Sequence, residues 1–290
     1  MRILVTSDGP DTLKRAADYT ALFASDADVT LLTLYSQEDQ KGEATESYEN
    51  VTEDLEEQTG KPVESGLERG SAEDLILQEV ETGNYDLVVL GIHLQRKLSR
   101  LRPKQVAQHL AGRLSVPLLV VFPAWRRLDR ILVWTAGEDP DELALRLAGQ
   151  MASEVGAEVT VLHVMSQVPL RADADVEDLE RDAEALIEHR THEGKFLERA
   201  LSILEARGVP AERCEVKVRR GLTVDEIIGE SEEGDFDLVV VGALEVSTDE
   251  AWHELRELVQ EDLAERVLME AERPVLIARE PGRGIDWSNL

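Results

Sequence analysis

Asp86-Leu-Val-Val-Leu-Gly91, a basic loop carrying Arg96, Lys97, Arg100, Arg102 and Lys104, a short helical stretch, and Pro117-Leu-Leu-Val-Val121 form the segment that decides the fold. Its two apolar runs do not alternate with polar residues, as half-buried strands would. Continuous apolar runs that bracket a helix of about a dozen residues read as parallel strands buried on both faces and joined by a crossover.

The pattern is written twice. Asp237-Leu-Val-Val-Val-Gly242 leads through a second helical segment to Pro274-Val-Leu-Ile-Ala278. Ile131 to Thr135 matches Ile3 to Ser7 at an offset of 128, and Glu158-Val-Thr-Val-Leu-His163 matches Asp28 to Thr33 at 130. Arg220-Gly221 matches Arg69-Gly70 at 151, as the Asp237 run matches the Asp86 run, and Pro274 matches Pro117 at 157. Every length change therefore falls in a loop or peripheral helix, where insertions are tolerated.

Each copy reads as alternating strands and helices, which implies an α/β domain with a parallel sheet and right-handed crossovers. The expected organisation is two tandem open five-stranded parallel sheets with helices on both faces. Domain 1 spans 1–123, a linker 124–128, domain 2 129–279 and a tail 280–290. Between the strands, helices are expected over Leu13 to Phe23, Ala72 to Glu81, Val176 to Arg207 and Asp249 to Met269, with Asp11 capping the first. A weaker helix around Glu46 to Gln58 has a thin apolar stripe.

The chain has 290 residues and a formal net charge of −29. Such a surface repels phosphate backbones and anionic lipid, so neither nucleic acid binding nor membrane insertion is expected. The charge is unevenly placed: residues 92–130 hold nine basic side chains and one acid, Asp129. A basic stretch on an acidic molecule is suited to docking on an acidic surface, either the other domain or a partner subunit. Arg outnumbers Lys 24 to 7, and an acidic, Lys-poor composition resembles that of proteins from salt-accumulating cytoplasms. The first residues enter a strand pattern directly, without the layout of a secretory signal, so a cytoplasmic location is expected. Cys214 is the single cysteine; it forms no internal disulfide and reads as a small core residue in a strand.

Taken together, Ile3-Leu-Val-Thr-Ser-Asp8-Gly9, the Val29-Thr-Leu-Leu strand, Asp86 to Gly91 and Val116-Pro-Leu-Leu-Val-Val121 resemble the universal stress protein family, and the second copy resembles it again. The resemblance implies a Rossmann-like sheet of the adenine nucleotide alpha hydrolase type, strand order 3-2-1-4-5, with a ligand crevice between strands one and four. It also implies that the two halves pack on each other, with dimerisation through the last strands a further option.

Family members that bind ATP carry an Asp after strand one and a Gly-x2-Gly-x9-Gly-Ser/Thr loop after strand four. Such loops bring backbone N–H groups and a helix N-terminus to phosphates. Asp8 and Gly91 match that pattern. Leu94 occupies the second glycine position, and Lys104-Gln105 stand where Gly-Ser would be. The resemblance thus nominates Asp8, Gly91 and Lys104 as cofactor-binding residues, with ATP as the ligand to consider in domain 1. In one reading Lys104 and its neighbouring cations replace the glycine nest by direct pairing to phosphate. In the other, nucleotide binding is lost and the loop docks on protein.

Domain 2 departs further, with Ala136 in place of the Asp, Glu245 at a glycine position, and Glu261-Asp262 before the last helix. Carboxylates at a phosphate site repel the ligand, so no nucleotide is expected there. His189 and His192, with Glu188 or Glu193, have metal-ligand spacing on a helix, but such pairs arise by chance on Glu-rich helices. No nucleophile elbow and no adenylating-enzyme signature occurs in the sequence, and no catalytic residue is nominated. The expectation is a cytoplasmic, non-catalytic stress-response module that binds a protein partner or itself. The alternative is an ATP or AMP switch, with slow or no hydrolysis, run from domain 1.

Overall fold

Among the described residues ten strands form the sheet and eight helices flank it. In the computed structural model the described residues are 1–7, 10–35, 41–93, 103–122, 124–136, 142–166, 191–243 and 263–279. The first half comprises β1 (Arg2–Ser7), α1 (Pro10–Ala21), β2 (Asp28–Tyr35), α2 (Lys41–Thr59), β3 (Glu64–Arg69), α3 (Ala72–Gly83), β4 (Leu87–Gly91), α4 (Pro103–Arg113) and β5 (Leu118–Val121). The second comprises β6 (Arg130–Thr135), α5 (Glu142–Val155), β7 (Glu158–Ser166), α6 (His192–Ala206), β8 (Cys214–Gly221), α7 (Thr223–Glu233), β9 (Leu238–Ala243), α8 (263–270) and β10 (Val275–Arg279).

The continuous apolar runs are buried throughout, as parallel strands covered on both faces must be. Helix α1 already begins at Pro10, so Asp11 lies in its first turn rather than capping it. The weak central helix is longer than its stripe suggested, and only Ala44, Val51 and Leu55 anchor it in the core. Cys214 is half-buried at the start of an edge strand rather than in the core.

The main correction concerns the sheets. Two separate five-stranded sheets were expected; there is one ten-stranded sheet in the order β3-β2-β1-β4-β5-β10-β9-β6-β7-β8. All pairings are parallel except at the seam, where β5 and β10 run antiparallel with Leu119 opposite Leu276. Strands five and ten would each be an exposed apolar edge in an isolated half, and joining them removes both liabilities. Because the seam is antiparallel, the halves are related by an approximate two-fold axis normal to the sheet. The carboxyl ends of the first half's strands thus lie on the same side as the amino ends of the second half's.

Two apolar cores follow from this, one on each face, and each crosses the seam. One gathers Leu13, Ala16, Tyr19, Leu55, Leu145, Met151 and Leu204 from α1, α2, α5 and α6. The other gathers Ile76, Leu110, Ile227 and Leu268 from α3, α4, α7 and α8. The apolar positions of the last helix, Val267 and Leu268, pack on their own sheet in this way.

The corner before the fourth strand of each half is built twice from the same parts. Asn84 and Asp235, 151 positions apart, both adopt left-handed backbone, at φ 50 and 48. The glycine before each lies against an aromatic ring: a Cβ on Gly83 would come within 2.1 Å of Tyr85, and on Gly234 within 2.2 Å of Phe236. Arg2 donates to the Gly83 carbonyl and stacks over Tyr85, while Arg130 donates to the Gly234 carbonyl and stacks over Phe236. The carboxylate that opens each run accepts backbone N–H groups, Asp86 from Arg2 at 2.6 Å and Asp237 from Asp129 at 2.8 Å. These aspartates are therefore structural, and they hold the first strand of each half against its fourth.

The linker is packed. Trp125 Nε1 donates to the Glu272 carbonyl at 3.0 Å, and the Arg273 guanidinium stacks over its ring. Arg127 pairs with Asp235 and Asp237, and Leu128 is buried.

Candidate functional site

The winding of each half reverses between its first and fourth strands, which is where open α/β sheets offer a crevice. In the first half Ser7 pairs with Gly91 across that point. One register step beyond the Thr6–Leu32 pair brings Thr33 beside Ser7 on the other side. Thr33, Ser7 and Gly91 thus form a row of small residues at the carboxyl edge of the sheet. In the second half the equivalent row holds His163 beside Thr135, followed one step beyond Trp134–Val241 by Gly242.

Gly91 is in place between β4 and α1, and its missing side chain is already used. A Cβ there would stand 2.4 Å from the Thr12 carbonyl oxygen and 3.1 Å from the Ala16 side chain. The first turn of α1 lies directly on this strand end. Asp8, the nominated partner of Gly91, falls outside the described residues, as do Leu94, Arg96, Lys97, Arg100 and Arg102.

Lys104 belongs to the first turn of α4, at the same edge of the sheet but at the seam. Its Nζ donates to the carbonyls of Met269 at 2.7 Å and Ala271 at 2.8 Å. These carbonyls close α8 of the other half, where a helix leaves acceptors unpaired and its dipole favours a cation. The ammonium also lies 5.2 Å from the Phe122 ring. Burial lowers the Lys104 pKa, opposed by the carboxylates of Glu272 and Glu270. Beside it, Gln108 donates to Glu265 at 2.7 Å, so α4 and α8 are held together by polar contacts at two points.

Lys104→Met is expected to lower the unfolding free energy by about 1–3 kcal/mol, since two carbonyls at a buried helix end lose their donor. Denaturant unfolding checks the magnitude, and amide exchange should quicken first in residues 263–271.

Two buried groups of these rows escape a motif search. The Thr33 hydroxyl is buried and has no hydrogen-bond partner among the described residues. His163, its counterpart, is buried with Nδ1 3.3 Å from the Thr135 carbonyl oxygen. Burial pushes the imidazole pKa down, against the smaller upward pulls of that carbonyl and of Glu193, so the ring is neutral at pH 7. The sequence signal for both was a polar residue inside an otherwise apolar strand, at matching places in the two copies.

In the second half Ala136 follows β6 without a carboxylate, while Glu245, Glu261 and Asp262 lie outside the described residues. His189 and Glu188 lie outside them as well, and among the described residues no cluster of His, Cys, Asp and Glu could hold a metal ion. No helix of the described residues is long and apolar enough to cross a membrane.

Sequence and structure comparisons agree on where this arrangement belongs. The family model described as the universal stress protein family matches twice, over residues 1–121 and 127–279. Among solved structures, a universal stress protein from Archaeoglobus fulgidus superposes with a TM-score of 0.59 at 16% identity, covering 98% of this chain and 97% of its own. A functionally unknown protein from Pseudomonas aeruginosa gives 0.62 at 17% identity, with 97% and 92% covered. The cytoplasmic domain of a prokaryotic cation chloride cotransporter gives 0.56 at 16% identity, with 98% and 96% covered. These likenesses concern the fold over the full double-domain length. No curated sequence matches the chain.

Proposed function

The chain belongs to the universal stress protein family, and we propose that it acts there as a non-catalytic, cytoplasmic stress-response module that works by binding protein rather than by turning over a nucleotide. The observation that carries this reading is the engagement of Lys104. The residue at the phosphate-holding position spends its ammonium on two carbonyls of the other half. Gly91, whose open face would let a backbone approach phosphate, instead carries the first turn of α1. With Lys104 engaged at the seam and Gly91 covered by α1, neither of these two nominated positions is left open to a triphosphate. The basic residues between them in the sequence carry the charge suited to a protein contact, with a partner or with a second copy of the chain.

A second reading keeps a nucleotide in the first half, with Asp8 on the base or ribose. The Thr33 hydroxyl favours it, because a buried hydroxyl without a partner among the described residues, one strand from Ser7 and two from Gly91, is suited to meeting a ligand. Protein purified without added nucleotide, denatured and assayed for adenine nucleotide separates the two. The module reading expects none, and no thermal shift with millimolar ATP. Stoichiometric nucleotide that disappears in Asp8→Ala establishes the switch instead. The likeness to a cotransporter's cytoplasmic domain makes a transporter one class of partner to include in binding assays.

A further inference from the structure

The seam uses the last strand of each half, so the edges of the sheet are β3 and β8. The two edges differ. β3 has six residues, and Glu64, Ser65, Glu68 and Arg69 stand exposed along it, the kind of charged blunting that keeps an edge from pairing. β8 has eight residues, in register with β7 from Cys214 to Gly221, and two of its cations do not guard it. Lys217 Nζ donates to one oxygen of the buried Glu230 carboxylate at 2.9 Å, and Arg219 Nε reaches the other at 2.7 Å. Both side chains are thereby folded back onto α7. On the opposite face Val216 and Val218 are only partly buried, as are Phe196 and Ile203 of α6. Among the described residues no strand pairs with the outer side of β8.

We propose that β8 is a dimerisation edge, pairing antiparallel with β8 of a second copy of the chain about a two-fold axis that passes through Lys217 normal to the sheet. This register sets Val216 opposite Val218, Glu215 opposite Arg219 and Cys214 opposite Arg220, and the two-fold makes each pair twice. Branched apolar pairs and opposite charges in directly facing positions both stabilise an antiparallel ladder. The two Lys217 side chains face one another, but each is already paired with its own Glu230. Arg220 shares the valine face, since alternate residues of a strand point the same way. It is brought to Cys214, where burial, and then the carboxylates of Glu205 and Glu212, push the thiol pKa up. The guanidinium therefore gains acidic neighbours. Moving the axis to Val218 would instead set Val216 against Arg220 and lose the Glu215–Arg219 pairs. The occupant is a second copy rather than an unrelated strand because β8 carries both members of every pair. The edge lies across the seam from the crevice of the first half and does not rest on how that crevice is used.

Sedimentation equilibrium of the full chain is expected to show a reversible dimer. Val218→Glu sets a carboxylate against the Val216 of the other copy and should weaken the dimer at least about tenfold. Arg220→Cys places a thiol opposite the natural Cys214, so oxidation with diamide should give a disulfide-linked dimer, whereas Val218→Cys, which faces Val216, should give none. Arg220 belongs to neither apolar core, so the cross-link stays readable even where Val218→Glu does not fold. A wild type that remains monomeric at submillimolar concentration overturns the proposal. So does a dimer that Val218→Glu leaves unchanged or that Arg220→Cys fails to cross-link. Cross-linking by Val218→Cys overturns the register, because it belongs to the pairing centred on Val218.

Discussion

Replacing Asp237 by alanine is expected to lower the unfolding free energy by about 3–5 kcal/mol, the largest single effect among the carboxylates described above. The side chain is fully buried. One oxygen accepts from Arg127 Nε at 2.8 Å, and the other accepts the backbone N–H groups of Asp129 at 2.8 Å and Arg130 at 3.1 Å. Removing it strands two part-buried backbone donors beside the buried β9 start and frees the linker from β9. Its counterpart Asp86 is half-buried and accepts a single backbone N–H, so Asp86→Ala should cost only about 1–2 kcal/mol. Asp237→Asn keeps an acceptor of the same shape and should recover part of the loss, leaving the share due to charge. Denaturant unfolding of the three variants tests the ranking. A loss at Asp237 no greater than at Asp86 would show that the linker contact contributes nothing.

That ranking could not be read from the sequence, although the motif could. The two Asp-Leu-Val-Val runs stood out because buried parallel strands are written as unbroken apolar stretches, and their repetition at a fixed offset located both halves. The offset of 128 from β1 to β6 carries on through α1 and α5, so the burial pattern of one helix could be laid on the other. The seam was not legible. Leu-Leu-Val-Val and Val-Leu-Ile-Ala announce buried strands but not which edge covers them, and an edge that pairs across two halves looks like one paired within a half.

Lys104 was ambiguous for a different reason. A cation at the first turn of a helix that follows a crevice strand has the chemistry to meet phosphate, and equally to meet the carbonyls at another helix's end. Only the position of α8 decides which acceptors lie within 2.8 Å. The hydrogen bond that the Tyr19 hydroxyl donates across the seam to the Asp237 carbonyl was hidden similarly, because its acceptor is a backbone carbonyl 218 residues away and a carbonyl leaves no mark in the sequence.

Gly91→Ala tests whether the glycine serves packing or a ligand, because the two roles predict opposite patterns of loss. The added Cβ would meet backbone, the Thr12 carbonyl oxygen at 2.4 Å, so α1 must move away from β4. Overpacking of this kind costs about 1–3 kcal/mol, and the helix that must shift carries Tyr19 into the seam. The loss should therefore reach beyond the first half and speed amide exchange near Asp237. Gly66→Ala is the matched control on an edge strand, where the new Cβ would find only a Leu32 methyl at 3.8 Å. It should be neutral or stabilising by about 0.5–1 kcal/mol, through the reduced freedom of the unfolded chain. If Gly91 instead existed for a phosphate, Gly91→Ala would abolish nucleotide binding while leaving the unfolding midpoint near that of Gly66→Ala. A large midpoint loss in protein that never bound nucleotide identifies the glycine as the space that α1 needs to reach the sheet.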